Sequence, residues 1–125
     1  DKLSEQTFDT VIIPGGPGIN RLRNHPQIIA LLQQHHAQGK LCACICAAPL
    51  LLKDAGILTD KDYTAHFSTI EELPAAQDSR TVLDGNILTS RGAGTAIEFS
   101  LALVEKLCGE ETANSIAQSI HWSHK

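Results

Sequence analysis

An α/β fold around a mostly parallel sheet is what this sequence predicts, and three observations predict it. Leu41–Ile45 is short and wholly apolar, as expected of a parallel strand covered on both faces. Strand-like runs end at glycine, proline or cysteine corners and are followed by stretches with helical spacing. The two patterns then alternate along the chain, which implies crossover connections rather than a meander.

The elements follow in order. Thr7–Ile13 reads as a buried strand stopped by Pro14-Gly15-Gly16-Pro17-Gly18. His25-Pro26 opens a helix with Ile28, Ile29, Leu31 and Leu32 on its packed face, and Gly39 ends it. Leu41–Ile45 is the second strand, followed by a helix from about Ala47 to Asp54. Asp62–Phe67 reads as a further strand, and Ser68–Leu73 as a short helix stopped by Pro74. Thr81–Asp84 and Asn86–Ser90 form a hairpin about Asp84-Gly85. Thr95 and Glu98 have the spacing of a capping box, opening an apolar helix that Gly109 closes. A last helix runs from Glu110 to about Ile120.

Composition narrows the function. The 125 residues, 42% hydrophobic and 19% charged, suit one ordered domain, and no repeat or linker divides them. A net charge of −4 with scattered basic residues argues against a nucleic-acid surface. No apolar run approaches the roughly 18 residues that suggest a membrane span. No secretory signal is visible, although the chain opens on Asp1 rather than Met and a preceding segment is expected. Four cysteines, at 42, 44, 46 and 108, fit neither a disulfide framework nor a zinc knuckle, so a cytoplasmic chain with reduced thiols is expected.

Parallel sheets place ligands at the carboxyl ends of their strands. Cys46 stands there, where an apolar strand meets a helix start, and a short side chain at the positive end of a helix favours a reactive thiolate. On spacing alone it reads equally as one more small residue of a cysteine-rich strand. Cys42 and Cys44, on the same face of an ideal strand, read as core packing, and Cys108 as structural. Gly15-Gly16 offers unobstructed backbone N–H groups that could form an oxyanion hole with Ala47, bind phosphate, or simply turn the chain. Neither a dinucleotide fingerprint nor a Walker pattern is present, so no cofactor is expected. Ser90-Arg91-Gly92-Ala93-Gly94-Thr95 ends another strand with unusual chemistry. His66, at a strand end, is a candidate acid or base, against the plainer reading of a structural histidine. His35 and His36 on a polar helix face, with His121 and His124 in the tail, read as solvated and lack a metal spacing, so no metal is expected.

Val11-Ile-Ile-Pro-Gly-Gly16, Ala43-Cys-Ile-Cys-Ala-Ala-Pro49 and Leu88-Thr-Ser-Arg-Gly-Ala-Gly-Thr-Ala-Ile-Glu-Phe99 together resemble the ThiJ/PfpI superfamily, in its parkinsonism-associated deglycase branch. The resemblance runs from about Phe8 to about Ile120. It implies a flavodoxin-like three-layer sandwich, similar to class I glutamine amidotransferases, and a homodimer. It maps the reactive elbow cysteine to Cys46, the oxyanion-hole donors to Gly16 and Ala47, and the active-site histidine to His66. The family's partner glutamate, in an earlier strand-helix segment, has no counterpart here; neither Glu5 nor a later carboxylate fits its motif. That segment is expected to be absent, cleaved or carried on a separate chain, and the 125 residues are expected not to fold alone because a sheet edge would stand open. Ala93 replaces a proline common in relatives.

The resemblance implies a cysteine-dependent glyoxalase or deglycase acting on methylglyoxal or on its adducts, including glycated protein. A second reading is a redox-sensing chaperone or stress-response binding protein that uses oxidation of Cys46. A cysteine peptidase ranks third, because Ala47 stands where that branch carries histidine.

Overall fold

A computed structural model of the chain describes residues 7–123. Among the described residues the sheet has four strands: β1 (Thr10–Ile13), β2 (Leu41–Ile45), β3 (Thr81–Asp84) and β4 (Ile87–Ser90), in the order β1-β2-β4-β3. The β1–β2 and β2–β4 pairs are parallel, with Thr10 beside Leu41 and Cys42 beside Ile87. The predicted hairpin forms the antiparallel pair β3–β4, turned by Gly85 at φ 62°.

Helices cover both faces. α1 (Ile19–Leu22), α2 (Pro26–Ala37) and α3 (Pro49–Asp54) are followed, after the hairpin, by α4 (Ala96–Cys108) and α5 (Glu110–Ser119). Alternation along β2 divides the core in two. Cys42 and Cys44 point into the layer of Leu31, Leu32, Leu51 and Leu52 from α2 and α3, while Leu41 and Ala43 meet Leu88 and Phe99 beneath α4. The arrangement is the expected three-layer sandwich. α2 starts as its sequence dictates: Pro26 supplies the first helical residue, where its missing N–H costs nothing, and His25 Nδ1 accepts from the N–H of Gln27 at 3.3 Å.

Several local expectations are overturned. Asp62–His66 is extended but is not a strand. β2 and β4 are already paired on both sides, so its backbone bonds elsewhere. Thr64 N–H donates to Thr89 Oγ1 at 2.9 Å, Tyr63 C=O accepts from Gln77 at 2.8 Å, and His66 N–H donates to Cys46 C=O at 2.8 Å. The helix expected over 68–73 shrinks to a 3₁₀ turn, Phe67–Thr69, with further turns before Pro74. No capping box forms at Thr95: its hydroxyl lies 2.6 Å from Ser90 Oγ and accepts from Gly92 N–H at 3.2 Å, while Glu98 pairs with Arg80.

His35 is not solvated either. It is fully buried, with Nδ1 donating to Leu31 C=O at 2.8 Å and Nε2 accepting from Phe8 N–H at 2.9 Å. Phe8 stacks on it with ring centroids 6.0 Å apart. His36 is half-buried, and its Nδ1 is enclosed without a partner. Cys108, expected to be structural, is exposed at the end of α4, and His121 is exposed as expected. Glu5 and His124 lie outside the described residues. β1 stands at one edge of the described sheet, with Ile12 47% exposed. No helix among the described residues is long and apolar enough to cross a membrane.

Candidate active site

The carboxyl ends of β1, β2 and β4 come together because the three strands run parallel. They bring Gly15-Gly16, Cys46-Ala47 and Arg91-Gly92 to one edge of the sheet, where α/β folds place their ligands.

Cys46 follows the last residue of β2 and adopts φ 67°, a left-handed conformation that costs a non-glycine residue energy. Two hydrogen bonds hold it there. Its N–H donates to Ser90 C=O at 2.9 Å, and its C=O accepts from His66 N–H at 2.8 Å. The strained corner turns Cys46 out of the alternation that buries Cys42 and Cys44, so the three thiols do not share one face as an ideal strand would require. Cys46 is partly exposed, whereas the other two are fully buried. Burial pushes the Cys42 thiol up to about 11 and the Cys44 thiol higher still, because apolar surroundings disfavour a thiolate. The exposure of Cys46 follows from the strained backbone, and the α3 helix after it is only six residues long.

The two glycines have different tasks. A Cβ on Gly15 would come within 2.5 Å of Cys46 Cβ and 3.0 Å of Ile45 C=O, so β1's corner can close on the elbow only without a side chain. Gly16 has open space around it but adopts φ 120°, which excludes other residues on backbone grounds. The N–H groups of Gly16 and Ala47 make no hydrogen bond among the described residues.

His66 is partly exposed and closes the site from the other side. Its Nδ1 accepts from Ser68 N–H at 3.2 Å and lies 2.8 Å from Ser68 Oγ. With Nδ1 accepting, the neutral ring carries its proton on Nε2, which is left to meet a ligand. Ser68 went unrecognised in the sequence; the His-x-Ser spacing at the start of a turn was the available signal.

Gly16, Cys46, Ala47 and His66 line one cavity of about 450 Å³, together with Glu71 and Glu72. All four residues singled out in the sequence are therefore brought together. Glu72 is already engaged: Arg23 donates Nη1 to Glu72 Oε2 at 2.9 Å and Nη2 to Oε1 at 2.8 Å. The same guanidinium grips Asp54 through Nε at 2.6 Å and Nη2 at 2.9 Å. Arg23 holds the Glu72 carboxyl down to about 2 and lowers that of Asp54 as well. The clamp ties the loop after His66 to the end of α3. No cluster of three or more metal-ligating side chains occurs among the described residues.

The family model of the DJ-1/PfpI family matches residues 1–106. Over 130 aligned residues the chain is 39% identical to Protein DJ-1alpha of Drosophila melanogaster, covering 100% of this chain and 60% of that protein. It is 36% identical to the glutathione-independent glyoxalase DJR-1.2 of Caenorhabditis elegans, covering 94% of this chain and 65% of that one. Among solved structures, the oxidized DJ-1 of Toxoplasma gondii superposes with a TM-score of 0.89 at 33% identity, over 98% of this chain and 68% of that one. The chain thus spans about 60% of the fly protein and 65% of the worm protein.

Proposed function

This chain belongs to the DJ-1/PfpI family, and on that premise we propose that it supplies the catalytic elbow of a cysteine-dependent glyoxalase. The observation that carries the reading is the left-handed Cys46, partly exposed in one cavity with two unengaged backbone N–H groups and an imidazole. Its thiolate adds to the aldehyde carbon of methylglyoxal, forming a hemithioacetal. The N–H groups of Gly16 and Ala47 receive the negative oxygen, and they need no reorganisation to do so. His66, oriented by Ser68, moves the proton between the two former carbonyl carbons. Water then hydrolyses the resulting thioester to lactate and restores the thiol. Adducts of methylglyoxal on amines or thiols, those on proteins included, would enter by the same attack.

The test is lactate formation from methylglyoxal by the full-length protein and by Cys46→Ala. Loss of the only accessible sulfur in the cavity should lower the rate by at least ~10³-fold. Equal rates would remove Cys46 from the mechanism. A second reading, a redox-responsive chaperone, draws support from the contrast between one accessible thiol and two buried ones on the same segment. In it Cys46 is oxidised to the sulfinate and turnover is incidental. Protection of a client protein from aggregation, gained on oxidation and lost in Cys46→Ala, would favour it. We further propose that the protein acts in the cytoplasm as a homodimer, which the sedimentation of the full-length protein would check.

A further inference from the structure

A second and larger cavity, of about 730 Å³, opens on the other side of His66. His66 lines both cavities, so the imidazole is a shared wall between them. The second cavity has two unlike kinds of lining residue. Phe67 and Ile70, which are 81% and 51% exposed, and Ala76 are apolar. Arg80 and Arg91 line it as well, with the glycine loop between β4 and α4.

The two arginines differ in what they can do. Arg80 is committed: its Nε lies 2.7 and 2.9 Å from the Glu98 oxygens, and its Nη2 donates to Gly94 C=O at 3.3 Å, which fastens the loop to α4. Among the described residues Arg91 makes one side-chain hydrogen bond, from Nη1 to Asp78 at 2.5 Å. The Asp78 side chain is 99% exposed and that of Arg91 only 41%. A carboxylate held by one bond and otherwise in water is weakly retained. Arg91 is therefore a carboxylate site filled by the protein's own loosely held carboxylate, and an incoming one can replace it without exposing a buried charge.

We propose that this cavity binds a carboxylate joined by an apolar arm to the reactive carbonyl. The inference rests on the glyoxalase reading and deepens it: the carbonyl sits over Cys46, the arm passes His66 along Phe67 and Ile70, and the carboxylate displaces Asp78 on Arg91. The preferred substrates are then carboxylated oxoaldehydes rather than methylglyoxal itself.

The test compares kcat/KM of the full-length protein for methylglyoxal and for dioxovalerate, the analogue whose methyl group carries a carboxymethyl arm. The ratio should favour dioxovalerate. Arg91→Gln should cut that preference about tenfold, the usual effect of losing one charge-assisted hydrogen bond, while Asp78→Asn, which removes the competitor, should raise it. A ratio unmoved by Arg91→Gln, or lowered by Asp78→Asn, would overturn the proposal. Levulinate, an unreactive ketone with the same arm, separates the two ideas. If neither aldehyde is turned over, the glyoxalase reading falls, and levulinate shifts in the amide spectrum at Arg91 and Gly92 still decide the carboxylate site. Shifts weakened by Arg91→Gln would uphold it, and no shift at these residues would end it.

Discussion

Two neighbouring stretches of one segment, the interior of β2 and the corner after it, treat the same residue type in opposite ways. Cys42 and Cys44 lie within a regular strand, fully buried against α2 and α3, and burial holds both thiols protonated. Cys46, one step beyond the strand, takes a left-handed backbone and stands partly exposed in a cavity. Sequence spacing alone would put all three on one face. The difference shows that thiol accessibility here follows backbone conformation, with a single dihedral separating a packing residue from a candidate nucleophile.

The comparison can be pressed in four ways. The largest effect expected is chemical selectivity. Under mild peroxide, mass spectrometry should find two oxygens added to Cys46 while Cys42 and Cys44 stay unmodified, with rates at least ~100-fold apart, because a thiol near 11 is about one part in 10⁴ thiolate at neutral pH. Oxidation of Cys42 or Cys108 first would break the contrast.

Next is Gly15→Ala. Its new methyl would meet Cys46 Cβ at 2.5 Å and must push the elbow back. Displacing the nucleophile by a fraction of its reach should lower kcat roughly 100-fold, with a stability loss of about 2 kcal/mol. Wild-type turnover in this variant would mean the elbow yields easily.

Cys44→Ser tests the interior. It leaves the site untouched but places a hydroxyl where Cys44 is fully buried, and denaturant midpoints should report a loss of about 1–3 kcal/mol. A neutral result would mean that the interior tolerates polarity that its apolar neighbours do not suggest.

The smallest effect concerns the clamp that supports the corner from outside. The Arg23 partners Asp54 and Glu72 are both depressed, Glu72 to about 2, so the stabilisation from Glu72 is complete above the unfolded value of roughly 4 and is lost as pH falls towards 2, and that from Asp54 is lost in the same direction, as pH falls below its unfolded value. Arg23→Gln should flatten the acid limb of stability between those limits. An unchanged acid limb would show that solvent screening leaves the exposed Glu72 pair without weight.

Much of this was legible before the fold. The parallel strands, the hairpin at Gly85 and the helices of both layers follow from apolar runs and turn residues, which act locally. Gly16, Cys46, Ala47 and His66, which three motifs in order single out as candidate site residues, line one cavity. Asp62–His66 was misread because its extended backbone satisfies itself on Thr89, Gln77 and Cys46, none of them adjacent in sequence. His35 was misread because a polar-looking helix face turned out to receive Phe8 from across the molecule. Glu98 was given to a cap when a distant Arg80 claimed it.

The sequence by itself determined the class of fold and the chemical types gathered at the strand ends, because periodicity and glycine placement are short-range properties of the chain. Only the tertiary structure decided which cysteine of the β2 segment is accessible and what His66 and Arg91 each face. Those outcomes depend on contacts between segments far apart in the chain: β1's corner against the elbow, Ser90 and His66 bonding to Cys46, and Arg91 meeting Asp78. A strained backbone dihedral persists only where such contacts over-determine it, and no local pattern of residues encodes that.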